Sequence, residues 1–163
     1  MKKIYQKKIM KIKLILTDVD GVLTDGGMYY TEKGDIMKKF HARDGMGVTL
    51  LRKKNIPTII VTKEKTKMVK QWAKNMKISK LYDGITSKIG ILEVICKKYS
   101  VKKCEIAFIG DDVNDLELMQ NIGFSGTPSD GIDEIKKNSD YVCKNSGGHG
   151  AFREFADIII SQN

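Results

Sequence analysis

The sequence predicts an α/β domain with a mainly parallel sheet and helices on both faces. Two observations carry this expectation. Short apolar runs bounded by turn residues alternate with segments of helical period along the whole chain. Three of those runs also end in polar residues: DVDG (18–21) after the first, Thr62 after the second, and GDDVND (110–115) after a third long one. Converging polar strand ends are what an open parallel sheet presents where it binds ligands, outside the carboxyl ends of its strands.

In order, KLILTD (13–18) reads as the first buried strand. GGMYYTEKGDIMKKFHA (26–42) reads as a hairpin around EKGD, with Gly34 free to take positive φ. ARDGMGVTLLRKKN (42–55) has helical spacing and begins beside Asp44, a candidate cap. PTIIVT (57–62) is a second core strand, EKTKMVKQWAKNM (64–76) a lysine-rich amphipathic helix, and KLYDG (80–84) a short strand. SKIGILEVICKKYS (87–100) reads as a helix capped by Ser87, and CEIAFIGDD (104–112) as the third long strand. Helices are expected over DLELMQNI (115–122), near DEIKKN (133–138) and over AFREFADIII (151–160), with a strand at DYVCK (140–144). FSGTP, between two of these helices, carries no assignment. The count is five or six parallel strands plus one hairpin.

A chain of 163 residues suffices for one domain with a full core and is too short for two ordinary ones. We expect a basic extension over residues 1–12 and a single domain over 13–163. Hydrophobic residues at 41% and charged residues at 30% are globular proportions and argue against disorder. The net charge of +9 is mostly local: Lys2, Lys3, Lys7, Lys8, Lys11 and Lys13 meet no acid in the first thirteen positions, so the remaining body carries +3. Only three of the 29 basic residues are Arg, whereas a base-reading or phosphate-gripping surface leans on bidentate Arg. No nucleic-acid partner is expected. Within the extension, Ile4, Tyr5 and Ile9 are candidates for local packing.

Cys96, Cys104 and Cys143 are odd in number and form no CxxC pair, which indicates neither a disulfide framework nor a zinc site and favours a reducing, cytoplasmic location. The basic start is followed only by LIL before Thr17 and Asp18, too short an apolar run for a signal peptide or a membrane span, so no membrane partner is expected.

Asp18 and Asp20 are one residue apart, so an extended backbone sends both side chains to the same side. Two such carboxylates repel unless a cation neutralises them or one is protonated. The acids of GDDVND would complete an oxygen-rich nest suited to Mg²⁺, which takes a few carboxylates, waters and a substrate phosphate. A calcium loop fails as the explanation, because it needs its glycine at position six, where this chain has Leu23. A receiver domain would place a lone phosphoacceptor after the third strand, whereas the DxD pair here follows the first.

DVDGVLTD, the hydroxyl in VTKEK, Lys88 and GDDVND, in that order, resemble the four motifs of the haloacid dehalogenase superfamily of phosphohydrolases. The resemblance implies a three-layer, Rossmann-like fold. Only the hairpin at 26–42 separates the first motif from the next helix, which leaves no room for a cap domain. With GGMYY, HARDG and SGGHGAFREF, the chain is similar to the capless branch that dephosphorylates sugar-acid phosphates. The implied substrate is 3-deoxy-D-manno-octulosonate 8-phosphate, with N-acylneuraminate 9-phosphate as the alternative. A catalytically silent oligomerisation module is the alternative of another class, which repelling acids without chemistry would not serve.

The resemblance assigns roles. Asp18 is the nucleophile that forms an aspartyl phosphate, and Asp20 the acid and base that also offers Mg²⁺ its main-chain carbonyl. Thr62 donates to the phosphoryl group, Lys88 offsets its charge, and Asp111 completes the metal ligands with Asp18 and Asp20. Asp112 and Asp115 fix waters and Lys88, or cap the following helix. Arg43 in HARDG would grip a substrate carboxylate. Glu64, followed by Lys65, would face the sugar; this pair resembles the sialic-acid enzymes, where the octulosonate enzymes usually show Gly-Arg. His41 and His149 are read as structural or rim residues, and Asp25 has no assignment. The branch forms tetramers in which hairpins pack together and C-terminal segments approach a neighbour's site. With only residues 156–163 beyond Phe155, any such closure is expected to be short.

Overall fold

The computed structural model describes residues 3–162. Six strands, β1 (Leu14–Thr17), β4 (Thr58–Val61), β5 (Lys80–Tyr82), β6 (Ile106–Ile109), β7 (Phe124–Thr127) and β8 (Tyr141–Val142), form one parallel sheet in the order β5-β4-β1-β6-β7-β8. A separate antiparallel hairpin pairs β2 (Tyr29–Thr31) with β3 (Gly34–Met37), and Gly34 there takes φ +104°. The three-layer α/β fold and the hairpin are as the sequence predicts.

The chain runs outward from β1 to β4 and β5, then returns to the other side of β1 for β6, β7 and β8. The order therefore reverses between β1 and β6, and Thr17 and Ile109 face each other at their carboxyl ends. This switch point is the crevice where open α/β sheets bind ligands.

Alternation along the central strands feeds two cores. Ile15, Ile60, Ala107 and Ile109 point to one face, covered by α2 (Ala42–Lys53), α3 (Lys67–Met76) and α7 (Ala151–Ile160) through Val48, Leu51, Val69, Phe152, Phe155 and Ile159. Leu14, Leu16, Ile59, Val61 and Phe108 point to the other, covered by α4 (Leu92–Tyr99), α5 (Val113–Gln120) and α6 (Asp133–Asn138). Every residue of β1, β4 and β6 is buried, which explains why those strands read as continuous apolar runs.

Two local expectations are corrected, and one unassigned segment proves to be a strand. Asp44 does not cap α2: His41 is the N-cap, its Nδ1 accepting from the Arg43 N–H at 3.3 Å, and Asp44 is fully buried one turn in. Ser87 does not cap a helix either. The segment first makes a 3₁₀ turn at Ile89–Ile91, supported by the Ser87 main-chain carbonyl, and α4 starts only at Leu92. FSGT is a buried strand despite its small, weakly β-forming residues, because Phe155 lies where a side chain at Gly126 would be; its ring stacks on Phe124 at 5.5 Å.

The basic start is not bare coil. Residues Lys3–Ile9 form α1, with Ile9 and Ile12 buried in the core shared with α7 and Tyr5 edge-on to Phe124. Lys2 and the side chain of Ile4 lie outside the described residues.

Candidate active site

Asp18 is the first residue beyond β1, and its N–H still bonds the Ile109 carbonyl at 3.0 Å. The sheet thus fixes its backbone while its side chain, 7% exposed as a residue, enters the crevice. Its Oδ2 lies 2.9 Å from Nζ of Lys88, itself 3% exposed. The same ammonium reaches Oδ1 of the fully buried Asp115. Oδ2 of Asp115 accepts from the main-chain N–H groups of Asp111 and Asp112 at 3.0 and 3.5 Å, and Asp112 caps α5 through the Val113 N–H at 2.7 Å. The two roles read for Asp115 are therefore one arrangement: capping α5 aims its other oxygen at Lys88.

One oxygen each of Asp18, Asp111 and Asp115 lies within 4.8 Å of the others. Burial, opposed by Lys88 and reinforced by Asp115, pushes the Asp18 carboxyl up to about 7. Burial and the charges of Asp18 and Asp115 push Asp111 up to about 8. Carboxylates that resist ionisation because they are buried and face one another fit a hard divalent cation, whose charge offsets both effects. Gly21 makes the cluster possible: it takes φ +80°, and a Cβ there would stand 2.0 Å from Oδ2 of Asp111.

Asp20 stands apart from this trio. Its Oδ1 lies 2.6 Å from Nζ of Lys38 and accepts from the Thr24 hydroxyl at 3.3 Å, so its carboxylate serves the opposite wall of the crevice. Thr62, 1% exposed, follows β4; its N–H bonds the Tyr82 carbonyl and its Oγ1 accepts from the Glu64 N–H at 3.3 Å. Asp18, Asp20, Gly21, Thr62, Glu64, Asp111 and Asp112 line one cleft of roughly 280 Å³.

Arg43 is not in it. The first turn of α2 points Asp44 inward, where Oδ1 accepts from the Arg153 N–H at 2.8 Å, so Arg43, one residue earlier, faces outward. There it lines a larger cavity of roughly 700 Å³ with His149, Arg153 and Glu154, apart from the cleft that holds Asp18 and Asp111. The two histidines take structural roles: His41 caps α2, and Nδ1 of His149 lies 2.8 Å from the Gly147 carbonyl. Asp25 secures the loop after β1 by accepting from the Gly27 N–H and pairing with Lys39 at 3.4 Å.

A family model described as haloacid dehalogenase-like hydrolase matches residues 53–154. The chain belongs to this family. It is 33% identical over 153 residues to the 3-deoxy-D-manno-octulosonate 8-phosphate phosphatase of Escherichia coli K12, covering 94% of this chain and 81% of that protein. It is 34% identical to the enzyme of the same description from Haemophilus influenzae over 95% of this chain and 86% of that one. Among solved structures, the Moraxella catarrhalis 3-deoxy-D-manno-octulosonate 8-phosphate phosphatase in complex with magnesium ion, phosphate ion and KDO superposes with a TM-score of 0.95 at 32% identity, covering 100% of this chain and 94% of that one. The cobalt-bound Haemophilus influenzae enzyme gives 0.92 at 33% identity over 95% and 91% of the two chains.

For this hydrolase domain, sequence reasoning missed Lys38. It is one of many lysines, and the hairpin's fold shows that Lys38, and not Lys39, pairs with Asp20. The signal was the alternation of an extended segment, which sends Lys38 and Lys39 to opposite sides.

Proposed function

We propose that this chain is a Mg²⁺-dependent phosphatase that hydrolyses 3-deoxy-D-manno-octulosonate 8-phosphate through an aspartyl-phosphate intermediate. The observation that carries this reading is the pairing, across one small cleft, of the Asp18–Lys88–Asp115 chain beside Asp111 with the separately held Asp20. The sugar-acid substrate rests on the octulosonate phosphatases to which the chain is about one-third identical across most of both lengths.

Asp18 attacks phosphorus, forming an O–P bond as the bond to the sugar oxygen breaks. Lys88 holds Oδ2 of Asp18 and limits its rotation, and Asp115 holds Lys88. Thr62 donates its hydroxyl to a phosphoryl oxygen. Asp20 protonates the departing alkoxide, then takes a proton from the water that attacks the aspartyl phosphate, which releases inorganic phosphate and restores Asp18. Asp18 and Asp111, with Asp115 behind them and the Asp20 main-chain carbonyl, would hold Mg²⁺, which supplies charge neutralisation of the phosphoryl oxygens. Glu64, exposed at the cleft rim, is positioned to meet the sugar.

Glu64 also favours a second reading, N-acylneuraminate 9-phosphate, because a carboxylate followed by Lys65 stands where the octulosonate enzymes usually show Gly-Arg. Phosphate release from both sugars, with Mg²⁺ and with EDTA, tests the two. Faster turnover of the octulosonate is expected, and Asp18→Asn is expected to abolish it. Equal or faster turnover of the neuraminate refutes the substrate, and no turnover of either above the variant refutes the enzyme.

The working unit is a homotetramer in the cytoplasm. The hairpin supports assembly, since Met28, Tyr30, Ile36 and Met37 are 66%, 61%, 60% and 50% exposed on an element with little apolar burial of its own. The cytoplasm is supported by three free cysteines and by the absence, among the described residues, of a helix long and apolar enough to cross a membrane. Sedimentation tests the assembly; a fully active monomer refutes it.

A further inference from the structure

Lys38 is a buried cation that the proposed chemistry does not use. Its side chain is 4% exposed, although it leaves a hairpin whose neighbouring residues Ile36 and Met37 are largely in solvent. Burying an ammonium is costly unless partners replace water, so its partners are informative. They are Oδ1 of Asp20 at 2.6 Å and Oδ2 of Asp35 at 3.7 Å.

Anchoring the hairpin does not account for this pair. The hairpin base is already fixed by the Thr24–Phe40 bridge, by the Phe40 ring stacked on Trp72 at 4.8 Å, and by Lys39 on Asp25. What Lys38 adds is control of one carboxylate. With Lys38 and Thr24 both on Oδ1, the plane of the Asp20 carboxylate is set, and Oδ2 has no hydrogen bond from the described residues in the cleft that also holds Asp18.

We propose that Lys38 is a positioning residue for proton transfer: by holding Oδ1 of Asp20, it presents Oδ2 to the oxygen that leaves phosphorus. The hairpin thereby serves the reaction as well as assembly. This inference rests on the phosphatase reading given above.

Proton donation matters for a sugar alkoxide and hardly at all for p-nitrophenolate, so the two leaving groups separate this role from general damage. The parameter to compare is kcat/KM, which reports aspartyl-phosphate formation and not the later hydrolysis that Asp20 serves as base with either substrate. For Lys38→Met it is expected to fall about 10–100-fold for octulosonate 8-phosphate, within the range that general acid catalysis supplies, and less than about 3-fold for p-nitrophenyl phosphate. Lys38→Arg should restore most of the loss. In the Asp20→Asn background, Lys38→Met should add less than about 2-fold, since residues acting through one another are not additive. Equal losses on both substrates, additive losses, or a changed half-saturating Mg²⁺ concentration would each overturn the proposal. A crystal structure of Lys38→Met supplies a readout independent of activity: Asp20 is expected to swing from its present orientation, and an unmoved Asp20 overturns the proposal whatever the substrate. Failure of the wild type on octulosonate 8-phosphate with retained p-nitrophenyl phosphate turnover would refute the substrate reading alone; the leaving-group comparison would then use an alkyl phosphate that the protein hydrolyses.

Discussion

Removing the metal should make this protein less stable as pH rises from 5 to 7, the reverse of ordinary acid sensitivity. Asp18 and Asp111 both have folded-state values raised from the ordinary 3.8, to about 7 and about 8. Across that interval the folded chain keeps protons that the unfolded chain has released, so stability is fully present below about pH 4 and is lost as pH climbs through the folded values. Asp44, pushed by burial up to about 6, has the same sign. The lowered carboxylates Asp25, Glu93, Glu105 and Glu154 act at the acid side of this window, and the raised lysines Lys38 and Lys88 above it. Because Asp18, Asp111 and Asp115 relieve one conflict jointly, one retained proton is the conservative count. One proton over two pH units is worth about 2.7 kcal/mol. For a chain of this size that is a fall in Tm of about 5–10 °C. Thermal denaturation in EDTA between pH 5 and 7 reads it directly. Saturating Mg²⁺ should flatten the slope, because the ion holds the carboxylates ionised and leaves Asp44 as the remaining contributor. A flat or rising Tm in EDTA, or the same fall with Mg²⁺, would refute the reasoning.

Gly21→Ala should abolish Mg²⁺ binding measured by calorimetry, since the new methyl displaces Asp111 and the positive φ adds about 1–2 kcal/mol of strain; retained affinity would contradict the packing. Asp115→Asn keeps an acceptor for the α5 cap but loses the charge that holds Lys88, so Mg²⁺ affinity should fall about 10–100-fold, as for other groups that orient metal ligands. Asp44→Ala leaves the Arg153 N–H without its buried acceptor and should cost about 1–3 kcal/mol in denaturant unfolding, with the half-saturating Mg²⁺ concentration unchanged.

The fold was legible where burial was complete. β1, β4 and β6 are covered on both faces, so their sequences are uninterrupted apolar runs, and the acids that end them stand out by contrast. α7 falls on the expected residues Ala151–Ile160 because its apolar stripe is long and a glycine turn precedes it. β7 was illegible because its stability is tertiary: Gly126 and Ser125 have little strand preference, and the Phe155 ring supplies the packing. In the site, the acids were readable from spacing, while Arg43 was misplaced by helical phase, about 100° per residue, which a motif match does not track. Lys38 was hidden among lysines of identical chemistry, since only the hairpin's path decides which of them is buried.

The charges explain why a site without a cap domain still needs its hairpin. Asp18, Asp111 and Asp115 carry three negative charges against the single ammonium of Lys88, which leaves two, the charge of one divalent cation. Asp20 is a fourth carboxyl group at the same crevice, and whenever it is ionised its charge adds to theirs. Lys38 offsets it: among the described residues the cation paired with the Asp20 carboxylate comes from the hairpin, while the carboxyl-end loops bring Thr62, Lys63, Lys88 and the acids. The hairpin therefore contributes to the electrostatic balance of the crevice, and it does so on the residue for which we propose proton exchange. A flap that only shielded the cleft from water would not require a buried lysine on its inner side.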